Sequence, residues 1–333
     1  MGGRRTVPCG DYFVRRFDAL AAILLAVAAS SFAAAGQAQE TGKGMGTAPP
    51  IHVNVRLVNV YVNVTDVYGT PVAGLTQSDF ALSEDGQPQK ISYFEQQTNV
   101  PLSMVLAIDT SGSTRKDLPL EKATAREFVH TLLRRNDRLD LMDFNSDVRE
   151  VVPFTNDPRR IDAGLEHLDV GSATALYDAI YLASESLARQ HGRKVLIVIS
   201  DGGNNAASRV DFPRALQAAR RAQVMVYSII DLPILADAGR DEDGEHAMIT
   251  MSQETGGQYF YANAGDLRQA FAKVSQALRT QYLLGYYPSR RTVDESMDGA
   301  QFRTITVKLT HPAKVNGPYH VTNRTGYYPD SLQ

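Results

Sequence analysis

The chain has 333 residues, 43% of them hydrophobic and 21% charged, a composition that builds packed cores and excludes a largely disordered polymer. Its 34 Lys and Arg against 37 Asp and Glu leave a net charge of −3, without the basic excess that neutralises a phosphate backbone, so no nucleic-acid partner is expected. A single cysteine, Cys9, excludes an internal disulfide framework and any multi-thiolate zinc or iron–sulfur centre.

Residues 1–38 read as an address. Arg4, Arg5, Arg15 and Arg16 precede an apolar, alanine-rich run over 19–35, and small residues follow, with the best cleavage point after Ala38. A signal peptide is therefore predicted, with an uncleaved membrane anchor as the other reading. In both, the arginines stay in the cytoplasm and the body of the protein crosses the membrane. The expected location is secreted or periplasmic, or else anchored in the inner membrane and facing outward. Contact with a membrane is expected only through an uncleaved N-terminal segment. Cys9 precedes the apolar run, so it cannot be a lipoprotein cysteine, and cleavage leaves a thiol-free chain suited to an oxidising compartment. Residues 39–50, punctuated by Gly and Pro, are a linker.

Residues 51–98 carry a β pattern. Val53, Val55 and Leu57, then Val58, Val60, Val62 and Val64, alternate with other residues across one slip of phase. Turns are predicted at 68–71 and 84–86, and a short strand at 91–94. Residues 101–280 change character: near-continuous apolar strands at 102–108, 138–144, 194–200 and 224–230 alternate with amphipathic helices. Ala125, Phe128, Val129 and Leu132 share one helical face, as do Leu176, Ile180, Ala183 and Leu187, and Leu267, Ala270, Phe271, Val274 and Leu278. This is the pattern of an α/β fold, a doubly wound and mostly parallel sheet covered on both faces. From 281 to 333 the β pattern returns, with runs at 282–287, 302–309 and 320–325. The two β segments are expected to form one β-sandwich with the α/β domain inserted between its strands; two separate small domains are the alternative.

In open α/β sheets ligands bind at the carboxyl ends of the strands. Here the strand at 102–108 runs into Asp109-Thr110-Ser111-Gly112-Ser113, and the strand at 194–200 into Asp201-Gly202-Gly203. Between them lies a loop, Gly171-Ser172-Ala173-Thr174-Ala175, that opens a helix. Carboxylates and hydroxyls are hard oxygen donors, and alternate positions in an extended loop point to one side. Such a donor set suits Mg²⁺, with its octahedral oxygen ligation and retained waters. Asp and Ser at a strand end also cap helices or close turns; Ser113 and Asp117 are placed to do so, and for Asp109 taken alone the two roles stand level.

The DTSGS, GSATALYDA and ISDGG segments, in that order and each at its strand end or loop, resemble the metal-ion-dependent adhesion site of von Willebrand factor A domains. The flanking β segments, with YLLGYYP after the domain, resemble the related exported proteins of acidobacteria. The resemblance implies that Ser111 and Ser113 coordinate an ion directly, that Thr174 joins them when the site is engaged, and that Asp109 and Asp201 act directly or through water. It implies Mg²⁺, with Mn²⁺ or Ca²⁺ as substitutes, and one coordination position left for an Asp or Glu of a protein partner. The expected function is non-enzymatic, extracytoplasmic protein binding or adhesion. The alternatives are a structural envelope component whose metal only rigidifies the domain, and a metal-dependent hydrolase.

Other groups carry less. Asp143, Asn145 and Asp147 form an acidic edge expected to be solvated or to support the first site from behind. The 241–245 run fails the calcium-loop pattern and is expected to be a mobile acidic loop. The histidines lack HxxxH spacing, and no G-x-S-x-G elbow or phosphate-binding P-loop is present.

Overall fold

The computed structural model describes residues 56–96, 99–203, 208–231, 242–262, 266–289, 301–311 and 317–332, all within a compact unit spanning His52–Gln333. The expectations for the signal segment, for the linker and for Val53 and Val55 lie outside the described residues.

The central sheet has six strands in the order β10-β9-β8-β5-β6-β7. These are β5 (Leu102–Asp109), β6 (Arg138–Phe144), β7 (Val148–Thr155), β8 (Arg193–Ser200), β9 (Val224–Asp231) and β10 (Tyr259–Ala262). All neighbours are parallel except β6 and β7. Every residue of β5, β8 and β9 is buried, which explains their unbroken apolar reading. Met104, Leu106 and Ile108 of β5 pack on one face with α1 (Leu118–Leu132), α2 (Pro158–Glu166) and α6 (Leu267–Arg279). Val105 and Ala107 pack on the other face with α3 (Leu176–Ala188), α4 (Phe212–Ala222) and α5 (Glu242–Thr255). The sheet is doubly wound, as its alternating strands and amphipathic helices predict.

Two four-stranded antiparallel sheets complete the fold. One orders β13 (Tyr319–Thr322), β1 (Val58–Asp66), β11 (Tyr282–Tyr286) and β4 (Ile91–Gln96); the other orders β14 (Gly326–Tyr327), β12 (Arg303–Leu309), β2 (Phe80–Glu84) and β3 (Gln87–Gln89). Each sheet mixes strands from both ends of the sequence. They share one apolar cluster, in which Val58, Val60, Val62 and Val64 meet Phe80, Leu82, Leu284, Ile305, Val307 and Leu309. Burial along β12 alternates strictly, with Ile305, Val307 and Leu309 inward.

Two expectations are corrected. Residues 242–245 are not a loop: they form the first turn of α5, where Glu242, Asp243 and Glu245 complement the positive end of the helix dipole. Asp143 is not solvated: it is buried and paired with Arg149, whose Nε and Nη2 donate to it at 3.0 and 2.5 Å.

Candidate metal centre

The chain passes from β5 to β6 on one side of the sheet and later crosses back to β8 on the other. The gap between the ends of β5 and β8 is thus the topological switch point, where a crevice opens. Beyond β5, Thr110 N–H extends the ladder to Phe144 C=O at 2.8 Å. Ser111 N–H then turns back onto Asp109 Oδ1 at 2.8 Å. The Thr114 hydroxyl donates to the carbonyls of Asp109 and Ser111, both at 3.1 Å, and winds the chain into a short helical turn at Ser113–Lys116. As a result the Ser111 and Ser113 hydroxyls come to the same side, 3.0 Å apart.

The other two turns are bonded to this one. From β8, Ser200 Oγ donates to Asp109 Oδ2 at 2.6 Å. Gly203 N–H holds Asp201 Oδ1 at 2.9 Å. From the loop before α3, Gly171 N–H donates to Thr110 C=O at 2.7 Å, and Ala175 N–H to Asn145 C=O at 2.7 Å. Asn145 Nδ2 reaches the Thr110 hydroxyl at 3.1 Å, so Asn145 joins the loops from behind. A Cβ placed on Gly203 would stand 3.1 Å from Asp201 Oδ1 and 3.6 Å from Thr174 Oγ1, which puts these two groups on one small concavity. Gly202, at φ +87°, lets the turn pass: a Cβ there would lie 2.8 Å from the Glu245 backbone nitrogen, against the first turn of α5. The structure therefore brings Asp109, Ser111, Ser113, Thr174 and Asp201 together. Asp109, Ser111 and Thr174 are buried, Asp201 is half-buried, and Ser113 with Gly112 and Ser172 forms an exposed rim.

The electrostatics are one-sided. Burial pushes Asp109 up to about 7 against the hydrogen bonds from Ser200 and Ser111, and the Asp201 charge adds to the rise. Glu121, on α1 and 1% exposed, is pushed up to about 9, first by burial and then by Asp231, Asp109, Asp117 and Asp201. Asp231, at the end of β9, rises to about 6 for the same reasons, burial first and then Asp117 and Asp201. No Lys or Arg among the described residues forms a salt bridge with Asp109, Glu121, Asp201 or Asp231. Crowded carboxylates that no described Lys or Arg pairs, beside the Ser111 and Ser113 hydroxyls on one side, fit a hard divalent cation. No group of three or more His, Cys, Asp or Glu among the described residues is arranged to hold a metal, so a cation here would depend on hydroxyls for much of its ligation.

Sequence reasoning missed Glu121 and Asp231 and gave Thr110 and Ser200 no role of their own, whereas Asn145, bonded to Thr110, stands in the supporting position that was one of its two expected roles. For Glu121 a signal existed: the residue falls on the buried stripe of α1 with Leu118, Ala125 and Phe128, where a carboxylate is out of place. Asp117 stands at the N-cap of α1, but its side chain makes no capping bond.

Residues 104–204 match the family model of the von Willebrand factor type A domain. No curated protein matches the chain. Among solved structures, the chain is similar to the hypothetical protein BatB of Bacteroides thetaiotaomicron, with 20% identity and a TM-score of 0.43, over 54% of this chain and 100% of that one. It is also similar to a von Willebrand factor type A protein of Catenulispora acidiphila, at 15% identity and TM-score 0.48, over 60% of this chain and 50% of that one. A third is the vWF domain of the type V pili tip protein Mfa5 of Porphyromonas gingivalis, at 14% identity and TM-score 0.44, over 54% and 96%.

Proposed function

We propose, from the premise that residues 104–204 belong to the von Willebrand factor type A domain family, that this protein binds other proteins without performing chemistry on them, through a divalent cation held at the end of β5. The observation that carries the reading is the cup itself: three turns distant in sequence, bonded to one another, converge hydroxyls and carboxylates beneath an exposed rim. In this reading Ser111, Ser113 and Thr174 hold the ion through their hydroxyls, and Asp109 and Asp201 hold it directly or through water. When bound, the ion supplies a Lewis-acidic position for a carboxylate of the partner. Two carboxylates at most balance a divalent cation and the hydroxyls add no charge, so the ion stays Lewis-acidic enough to prefer an Asp or Glu over a neutral side chain. Ser200 fixes the orientation of Asp109, and the Gly203 N–H fixes that of Asp201, so the donors are set before any ligand arrives.

The arginine-led apolar segment at 19–35 supports export, with Mg²⁺ available outside the cytoplasm and no thiol in the processed chain. The test is capture of partners by the immobilised protein from native envelope in Mg²⁺, in chelator, and with Asp109→Ala. Capture that requires Mg²⁺ and Asp109 is expected. Partners retained equally in all three arms would overturn the reading and leave the metal a structural role at most.

A further inference from the structure

At the opposite end of the parallel sheet from Asp109, where β8 and β9 begin, lies a cavity of about 170 Å³ between the α/β domain and the β-sandwich. Its lining includes Tyr61 of β1, Arg193 and Lys194 of β8, Arg220 of α4, Glu254 of α5, and Arg324. Four of these are cations and one is a carboxylate. Glu254 is taken by Arg220, whose Nη2 donates to it at 2.5 Å, and by the Thr325 hydroxyl.

The remaining cations have no counter-charge among the described residues. Arg193 is 1% exposed; it donates to the Leu278 carbonyl at 2.9 Å and to the Gln281 side chain, and its guanidinium lies 4.9 Å from the Tyr61 ring centre. Asp137, the carboxylate nearest to it electrostatically, is bound by Arg279 at 2.5 Å. Arg324 donates to Gln223 Oε1 at 3.2 Å and to the Asn59 carbonyl at 2.7 Å, both neutral. Lys194 reaches only the Ala188 carbonyl, at 3.2 Å. Burial lowers the proton affinity of Arg193, Lys194 and Arg324.

A second observation falls on the same wall. The buried side-chain nitrogens that find no acceptor among the described residues are the Nε atoms of Arg193, Arg220 and Arg324, and all three residues line this cavity. A buried, unpaired charge is strongly destabilising, and a guanidinium with an idle N–H is satisfied best by an oxyanion. A neutral ligand would supply acceptors but leave the charge. We propose that this cavity is an oxyanion site that takes a small polyvalent anion, a free phosphate or the phosphate group of a small phosphomonoester. The anion joins β8 and α4 of the α/β domain to Arg324 of the sandwich segment, so occupancy also strengthens the junction between them.

The test is calorimetric titration of the full chain with inorganic phosphate and, separately, with glycerol phosphate, at constant ionic strength and with chelator present to silence any metal-bound phosphate. Saturable one-to-one binding is expected, weakened roughly tenfold or more in Arg324→Gln. Binding of both probes identifies the phosphate group as the ligand; binding of inorganic phosphate alone identifies the free anion. A second variant guards against simple misfolding. Gln223→Glu places a carboxylate beside Arg324 at the cost of the bond from Gln223 Nε2 to the Ser331 carbonyl at 2.6 Å, so it is expected to stay folded in phosphate-free buffer while abolishing the gain in Tm that phosphate gives the wild type. Absence of saturable binding by either probe, or binding by both variants equal to wild type, overturns the proposal.

Discussion

Ser200 Oγ donates to Asp109 Oδ2 at 2.6 Å across the crevice between β8 and β5, and accepts from Gly202 N–H at 3.1 Å. One hydroxyl thus restrains a buried carboxylate and closes the turn that presents Asp201. Because Ser200 is buried, Ser200→Ala leaves both partners short of a bond. The variant is expected to lose about 1–3 kcal/mol of metal-free stability in chemical denaturation, and to bind Mg²⁺ more weakly.

Ser113 behaves differently. Its side chain stands on the exposed rim, where its hydroxyl meets that of Ser111, so removing it costs the metal-free fold little. Ligand binding to the native state stabilises it by about 2.7 kcal/mol at a hundredfold excess over Kd. The wild type is therefore expected to gain on that order when Mg²⁺ is added in such excess. Ser113→Ala should melt like the wild type without Mg²⁺ and gain much less with it, as thermal denaturation will show.

Glu121 makes stability depend on pH in an unusual direction. Its carboxyl is held near 9 in the folded state and titrates near 4.5 in the unfolded chain. Between those values folding takes up a proton, so this group's contribution is complete below about pH 4.5 and drains away as pH rises. Glu121→Gln replaces the protonated acid with a neutral group of the same shape. It is expected to exceed wild-type stability by on the order of 2–4 kcal/mol at pH 8, with the two proteins converging near pH 4. Denaturant titrations at several pH values test this; a wild type that is the more stable protein at pH 8 refutes it.

Within the sandwich, Glu84 receives Arg303 Nη1 at 2.9 Å and the hydroxyls of Tyr286 and Tyr327 at 2.6 and 2.9 Å. This buried network ties β2 to β11, β12 and β14. Arg303→Met strands the carboxylate and is expected to cost about 3–5 kcal/mol. Tyr286→Phe removes one charge-assisted bond and should cost less, about 1.5–3 kcal/mol. Equilibrium unfolding separates the two.

The strands at the core of the α/β domain were legible because burial on both faces writes them as unbroken apolar runs, and their ends agree with the sequence reading to within a residue. The last helix, from Leu267 to Arg279, was equally plain from its stripe. β7 was not: this antiparallel edge strand is half-exposed, contains Pro153 and lacks alternation. β2 and β3 also escaped, because they are short and β3 shows no apolar side chain apart from Pro88. At the candidate site, strand-end position drew attention to Asp109, Ser111, Ser113 and Asp201, and the family resemblance added Thr174; the fold places these residues on neighbouring turns. Ser200 acts through a bond made across the crevice, and no sequence interval encodes which strand end will face which.

β4 and β11 are hydrogen-bonded neighbours, with Gln96 paired to Tyr282 and Phe94 to Leu284, although the entire α/β domain intervenes between them. To the sandwich, that domain is the turn of a hairpin. The adjacent ends at Gln96 and Tyr282 fix the spacing that the termini of any inserted domain must match.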